Sequence, residues 1–251
     1  MNIIKPSASM YSNKSGTSSL ETECLFGEKV KILDQHLDWV YCKLITDHYC
    51  GWIKKNNLGK FKKATHRVII KRTFIYKSEN AKSDTFHYLP MGSKLTIEEF
   101  KSDWAKTYFF FENKIQIGYV PSKHIVSCKY KVKDWVAMAQ QLEGTPYKWG
   151  GRDTIGIDCS ALLQLSYQTY GKMIPRNSSQ QVELKKNIVD DVNDLKRGCV
   201  IFWEGHVGIM IDSVNCIHAN AFHMKTFTEP LVNIIDRMDK DANIIKMVDF
   251  N

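Results

Sequence analysis

The first half of the chain consists of short stretches in which apolar and polar residues alternate. Examples are residues 29–33, 39–44, 67–70 and 104–109, and turn residues separate them. These stretches are rich in β-branched and aromatic side chains, which pack well on a pleated sheet. Alternation at this short, regular spacing predicts β-strands and, because the strands are brief, small barrels.

One arrangement of residues occurs twice in this region. A glycine-led turn precedes a strand, an Asp-Trp pair precedes the next strand, and a Gly-aromatic-aliphatic strand closes the unit. The repeated positions are Gly27, Asp38, Trp39 and Gly51 in the first copy and Gly92, Asp103, Trp104 and Gly118 in the second. The period of about 65 residues is too long for a solenoid and fits a duplicated domain. Both copies resemble bacterial SH3-like (SH3b) barrels.

The pattern changes near residue 130, where helical periodicity begins. Residues 134–142 place five apolar side chains on one face, and Gly144 follows as a stop signal. A second helix is predicted from Asp158, a good N-cap, to Tyr170, with Gly171 just beyond its end. Apolar runs at 199–203, 206–211 and 215–218 then predict strands. Helices followed by an antiparallel sheet indicate an α+β domain.

Composition and charge narrow the class of protein. The chain has 251 residues, of which 43% are hydrophobic and 25% charged, as is typical of folded proteins. No window of about 18 apolar residues exists, which predicts no membrane-spanning helix and no membrane partner. The net charge of +8 comes from lysines spread along the chain. Without a clustered patch or a nucleic-acid motif, we expect no nucleic-acid partner.

The cysteines indicate a reducing environment. There are seven of them, an odd number, scattered along the chain without a C-x-x-C pair. This is neither a disulfide framework nor a zinc ribbon. The first ten residues lack an apolar stretch long enough for a secretory signal. We therefore expect a cytoplasmic protein that binds no metal and needs no cofactor.

Cys159 is the strongest candidate for chemistry. It would lie in the first turn of the second helix, where the helix dipole and free N–H groups stabilise an anion and lower the pKa of a thiol. His206 opens one predicted strand, and His218 ends the next. A tight turn at Asp212 would bring both histidines to the same end of the sheet. The predicted line is thiolate, His206 as base, and His218 as the group that orients it.

The remaining cysteines and histidines carry no such context. The other six cysteines are expected to be inert, and the other six histidines to lie on the surface or in the core. The spacing of Cys216, His218 and His223 matches no standard zinc pattern.

These residues resemble the NlpC/P60 family of cysteine peptidases over about residues 134–250. The motif P-Y-x-W-G-G is present at 146–151, and G-x-D-C-S follows at 156–160. Further matches are G-x-x-I-P-R-x-S-x-x-Q at 171–181, G-H-V-G-I at 205–209 and I-H-A at 217–219. Ala161 and Cys199 depart from the family pattern, which has Gly and Asp at these positions. The resemblance implies a papain-like α+β domain.

SH3b domains ahead of such a peptidase resemble the γ-D-glutamyl-L-diamino acid endopeptidases. The resemblance implies that Tyr147, with the Cys159 backbone N–H, stabilises the oxyanion. It also implies that Tyr49 contacts the amine of the substrate's L-Ala and that Asp158 pairs with this ammonium group. Ser160, Asn177 and Ser178 would bind the rest of the L-Ala-γ-D-Glu portion. Arg176 would be structural or would face a substrate carboxylate.

The resemblance predicts three domains and one activity. The domains are a first SH3b barrel at 1–60, a second SH3b-like barrel at 61–128 and the peptidase at 129–251. The activity is hydrolysis of the γ-D-Glu–diamino acid bond in murein stem peptides that carry a free N-terminal L-Ala. Two alternatives stay open: a hydrolase or amidase of intact peptidoglycan, and a catalytically inactive wall-binding adaptor.

Overall fold

The computed structural model describes residues 1–15, 18–60, 62–112, 114–238 and 243–251. They form two compact units. The first unit comprises residues 1–130 together with 152–154, and the second comprises residues 131–151 and 155–251. Within the described ranges, no helix combines the length and the apolar character needed to cross a bilayer.

The regular elements among the described residues of the first unit are strands and two single 3₁₀ turns, at Lys55–Asn57 and Ser122–His124. Its strands are β1 (Asn2–Ile3), β2 (Ser7–Tyr11), β3 (Leu20–Leu25), β4 (Val30–His36), β5 (Trp39–Leu44), β6 (Cys50–Lys54), β7 (Leu58–Gly59), β8 (His66–Val68), β9 (Arg72–Tyr76), β10 (Thr85–Pro90), β11 (Lys94–Leu95), β12 (Ile97–Lys101), β13 (Trp104–Phe111), β14 (Lys114–Pro121), β15 (Ile125–Ser127) and β16 (Arg152–Asp153).

The two halves of the first unit share one order of strands. A five-stranded sheet β3-β2-β6-β5-β4 in the first half corresponds to the sheet β10-β9-β14-β13-β12 in the second. A small sheet accompanies each, β1-β7 in the first half and β11-β8-β15 in the second. Gly51 and Gly118 hold equivalent places, because a Cβ on either would collide with a side chain of the neighbouring strand, Met10 or Ile75. Both positions therefore require glycine.

Each half has its own apolar core. Met10, Val40 and Ile53 lie in the first core, and Ile75 and Val120 lie in the second. Phe26 follows β3 but packs into the second core, where it is 1% exposed. The two halves are therefore joined by shared packing as well as by the chain.

Residues 152–154 are attached to the first unit by buried polar contacts. The Arg152 guanidinium donates to both carboxylate oxygens of Glu28, at 2.7 and 3.0 Å, and neither side chain is more than 1% exposed. The Arg152 backbone N–H donates to Glu23 Oε2 at 3.0 Å. The Tyr88 hydroxyl donates to Asp153 Oδ2 at 2.7 Å. The buried charges of this segment are thus paired as burial requires.

The second unit has helices first and a six-stranded antiparallel sheet of order β18-β23-β19-β20-β21-β22. Its elements are α1 (Trp135–Gln140), β17 (Gly156–Ile157), α2 (Cys159–Thr169), α3 (Ser178–Gln181), β18 (Asn187–Ile188), β19 (Cys199–Trp203), β20 (His206–Met210), β21 (Asn215–Asn220), β22 (Lys225–Pro230), α4 (Leu231–Met238) and β23 (Ile244–Asp249).

The predicted α+β order of the second unit agrees with these elements. Both predicted helices are present within two residues of their expected bounds, and so are the three predicted strands. The sequence patterns did not predict β18, β22, β23 or α4. Every residue of α2 is buried, so this helix is central to the unit and holds its first residue in a fixed place.

Candidate active site

Cys159 is the first residue of α2. The Asp158 side chain caps this helix by accepting from the Ala161 N–H at 2.8 Å. Cys159 is only 8% exposed. Burial and the nearby Asp158 carboxylate raise the pKa of its thiol to about 12, although N–H groups of Val207 and Ser160 act in the opposite direction. The expected lowering of this pKa is therefore wrong, because desolvation outweighs the helix start.

The two predicted histidines meet at one end of the sheet. His206 begins β20 and His218 lies in β21, and these strands pair in the register Ile209↔Ile217. Asp212 holds the turn between them by accepting from the Val214 and Asn215 N–H groups. His206 Nε2 lies 2.8 Å from His218 Nδ1. The predicted meeting of the two rings is thus present.

His206 is kept uncharged by its surroundings. Burial, the neighbouring His218 and Arg237 lower its pKa to about 3. The Val207 N–H, which belongs to the residue after His206, is close enough to the Cys159 thiol to lower its pKa, so the thiol lies near the strand that carries this base. A raised thiol pKa and a lowered imidazole pKa together make the neutral pair the resting form.

Further polar side chains surround His218 on the side away from His206. Glu229 Oε1 on β22 lies 2.9 Å from His218 Nε2 and 3.1 Å from His223 Nε2. Arg237 on α4 donates to both Glu229 oxygens, at 2.6 and 3.1 Å, and Asn220 Nδ2 lies 3.0 Å from His218 Nε2. The sequence patterns missed these four residues, because β22 and α4 were not predicted and His223 was taken for an ordinary histidine.

Tyr147 lies close enough to the thiol for their charges to interact. Burial first, and then the negative charges of Cys159 and Asp158, raise the pKa of Tyr147 to about 12. Its hydroxyl consequently stays protonated and can donate a hydrogen bond at any physiological pH.

The Asp158 carboxylate is already paired. Arg176 Nη2 donates to Asp158 Oδ2 at 2.6 Å, and Arg176 Nη1 donates to Oδ1 at 2.9 Å and to Ser160 Oγ at 2.8 Å. The Gly150 N–H also donates to Asp158 Oδ2, at 3.0 Å. Arg176 is 2% exposed, which favours its structural alternative. A substrate ammonium at Asp158 stays a prediction, and its charge would compete with a guanidinium already in place.

The other predicted substrate contacts differ in setting. Asn177 and Ser178 lie at the start of α3, and both are half-buried. Gln181 at the end of this helix donates to Ser160 O at 3.0 Å, which connects α3 to α2. Tyr49 belongs to the first unit, where its hydroxyl donates to Glu21 Oε2 at 2.8 Å. The substrate roles of Tyr49, Asn177 and Ser178 stay predictions.

Comparisons with known proteins give matches for two parts of the chain. The NlpC/P60 family model matches residues 144–234, and the model of the bacterial dipeptidyl-peptidase Sh3 domain matches residues 10–58. The gamma-D-glutamyl-L-lysine dipeptidyl-peptidase of Bacillus subtilis is 26% identical over 237 residues, covering 84% of this chain and 77% of that protein. The protein of the same name from Bacillus cereus is 26% identical over 245 residues, with coverages of 80% and 68%.

A solved structure extends the likeness to the fold. The crystal structure of an NlpC/P60 family protein from Bacillus cereus aligns with 92% of this chain and 93% of its own, at 18% identity and a TM-score of 0.78. The chain therefore contains an NlpC/P60 cysteine peptidase domain, matched at residues 144–234, and a bacterial SH3 domain, matched at residues 10–58. More particularly, it is a homologue of the gamma-D-glutamyl-L-lysine dipeptidyl-peptidases. The second SH3b-like barrel and the domain bounds stay predictions.

Proposed function

We propose that this peptidase hydrolyses the γ-D-Glu–diamino acid bond of murein stem peptides with a free N-terminal L-Ala. The observation that carries the proposal is the contact of 2.8 Å between His206 on β20 and His218 on β21, with the Cys159 thiol close to Val207, the residue after His206. The names of the two Bacillus relatives support the bond and the substrate class.

The chemistry follows from the neutral resting pair. As the Cys159 sulfur attacks the γ-glutamyl carbonyl, its proton passes to His206. The Cys159 N–H and the Tyr147 hydroxyl donate to the developing oxyanion. The protonated His206 then gives its proton to the leaving amine, and a thioester forms. Water deprotonated by His206 attacks the thioester, which releases the L-Ala-D-Glu product and restores the thiol.

Selectivity for a free amine end rests on the proposed contacts of Tyr49, Asp158 and Ser160, with Asn177 and Ser178 binding the rest of the dipeptide. A role in peptide recycling inside the cell agrees with the cysteines, because all seven are free thiols.

The test compares L-Ala-γ-D-Glu-diaminopimelate, its L-Lys counterpart and the N-acetylated form of each, with products identified by mass spectrometry. We expect cleavage after D-Glu in the free peptides and at least tenfold slower cleavage of the acetylated ones. Equal rates for free and acetylated peptides would remove the amine-end proposal, and the two diamino acids rank the preference for the leaving residue.

Digestion of intact sacculi separates the alternatives. Release of fragments from sacculi at a rate comparable to cleavage of the tripeptide would favour a hydrolase or amidase of intact wall. Binding to sacculi with no turnover of any peptide, and no selective labelling of Cys159 by a thiol probe, would favour the inactive adaptor.

A further inference from the structure

Glu229 faces His218 from the neighbouring strand and has no part in the mechanism above. Its Oε1 lies 2.9 Å from His218 Nε2, and its side chain is 6% exposed. Arg237 donates to both of its oxygens. Although burial acts to raise the pKa of Glu229, hydrogen bonds from Arg237 and His218 lower it to about 2. The carboxylate is therefore ionised, and an ionised carboxylate only accepts hydrogen bonds.

The charge on Glu229 determines where each imidazole carries its proton. Because Glu229 accepts, His218 Nε2 must be the protonated nitrogen, and His218 Nδ1 is left with a lone pair. The contact of 2.8 Å then requires that His206 Nε2 donates its proton to His218 Nδ1. His206 Nδ1 is consequently unprotonated, as a general base must be. A neutral imidazole has one donor and one acceptor nitrogen, so the charge on Glu229 fixes the position of the proton on both rings.

Asn220 and Glu229 compete at His218 Nε2. The Asn220 amide Nδ2 lies 3.0 Å from this nitrogen and would donate to it if it were unprotonated, since the Asn220 Oδ1 already accepts from the His223 N–H at 2.7 Å. The ionised Glu229 carboxylate, 2.9 Å from the same nitrogen, can only accept, and its negative charge favours the protonated Nε2. The His223 ring contacts Glu229 Oε1 at 3.1 Å, so it too approaches the carboxylate.

We infer that Glu229 is a positioning residue of this peptidase: acting through His218, it fixes the tautomer of His206 and stabilises the imidazolium formed when Cys159 is deprotonated. The inference rests on the proposed roles of Cys159 and His206.

The charged groups around Cys159, His206 and His218 have opposing effects on the ionisation of these residues. Glu229 on β22 favours a positive imidazole, whereas Arg237 on α4 and His223 disfavour it at His218. Arg237 also lowers the pKa of His206. On the thiol side, the negative charge of Asp158 disfavours the thiolate and Arg176 favours it. Removing Glu229 or removing Arg237 should therefore change thiol ionisation in opposite directions.

The test follows alkylation of Cys159 by iodoacetamide as a function of pH, read by mass spectrometry of the peptide that contains it. No substrate is required. We expect Glu229→Gln to lower the rate of alkylation about tenfold or more at a pH of about 8, because the imidazolium that accompanies the thiolate loses its anion. Arg237→Met should raise this rate. The matched control is Glu143→Gln, because Glu143 accepts from the backbone N–H and the hydroxyl of Thr228, which lies on β22 beside Glu229.

A purely structural role for Glu229 would give a different pattern. Loss of packing would change the rate of alkylation in the same direction in both variants. It would also lower the melting temperatures of both. A folded Glu229→Gln variant with the wild-type profile overturns the inference. Wild-type turnover of the free tripeptide by the Cys159→Ala variant would instead remove the proposed nucleophile, so the two failures can be distinguished.

Discussion

At the scale of single residues, the candidate nucleophile and base are both neutral at rest. Burial raises the pKa of Cys159 to about 12 and lowers that of His206 to about 3. The start of a helix favours a thiolate, but the thiol is enclosed by protein on nearly all sides. Proton transfer thus belongs to the attack on the substrate, and a standing ion pair is not needed.

Replacing Cys159 by Ala should remove turnover and leave the fold intact. We expect kcat/KM for the free tripeptide to fall by a factor on the order of 10⁴ or more, because the nucleophile is lost. The melting temperature should change little, since a small buried side chain replaces another of similar size.

The matched control for this variant is Cys199→Ala. Cys199 is a buried cysteine on β19 and is not one of the proposed catalytic residues. It should retain activity. Wild-type turnover by the Cys159→Ala protein would exclude Cys159 as the nucleophile.

The histidine pair predicts how stability depends on pH. Burial lowers the pKa of both His206 and His218 in the folded state. Between the folded value and the ordinary histidine value of about 6.5, the unfolded chain therefore binds more protons, and the free energy of unfolding falls as the pH falls through this window.

Urea denaturation between pH 7.5 and pH 4.5, monitored on the second unit, measures this slope. His206→Asn should reduce the loss of stability on acidification, whereas His36→Asn, at an exposed position of β4, should leave it unchanged. An equal slope in all three proteins would contradict the assignment.

At the scale of elements, equivalent glycines are the clearest sign that the two halves of the first unit repeat. A Cβ at position 118 would lie 2.3 Å from Ile75 Cγ2 and 2.9 Å from Phe109 Cε1. Gly118→Ala should therefore lower the free energy of unfolding by about 1–3 kcal/mol through overpacking. Thr85→Ala, at an exposed position of the same sheet, serves as the control in chemical denaturation. Equal free energies of unfolding for the two variants would show that β9 and β14 can move apart to accept the added methyl group at little cost in stability.

Elements with a local signal were predictable from the sequence, and those fixed by long-range packing were not. The helix at Cys159 is bounded by Asp158 and Gly171, and the hairpin turn at Asp212 brings His206 and His218 to one end of the sheet. Arg237 lies on α4, whose apolar residues 231, 234, 235 and 238 have a helical spacing that was overlooked in the sequence. Glu229 lies on β22, and its partner His218 lies in another strand, so nothing local along the chain indicates their contact. The predicted direction of the Cys159 pKa shift was wrong, because the burial that raises this pKa comes from tertiary packing and leaves no pattern along the chain.

At the scale of the whole molecule, the ion pair of Arg152 and Glu28 joins positions that are far apart in sequence. Both side chains are fully buried, and burial of Glu28 is outweighed by Arg152, so that the pKa of the carboxyl is lowered. Glu28→Gln should cost about 3–5 kcal/mol of unfolding free energy, because the buried Arg152 guanidinium loses the carboxylate that accepts two of its hydrogen bonds.

Denaturation of the intact chain measures this cost. The control is Glu79→Gln, which removes an exposed ion pair with Lys101 and should cause no measurable change. Because the folded pKa of Glu28 is depressed, its contribution should be present above pH 5 and lost as the pH falls further. A Glu28→Gln protein as stable as the wild type would mean that the buried charge finds another acceptor.

Residues 152–154 complete the first unit although more than twenty residues of the second precede them along the chain. During synthesis on the ribosome, Glu28 emerges long before the arginine that neutralises it. The amino-terminal half cannot reach its final form as an independent early product, whatever the usual order of vectorial folding. A gene fragment that stops at codon 130 would therefore encode a polypeptide in which the buried Glu28 carboxylate lacks the guanidinium of Arg152.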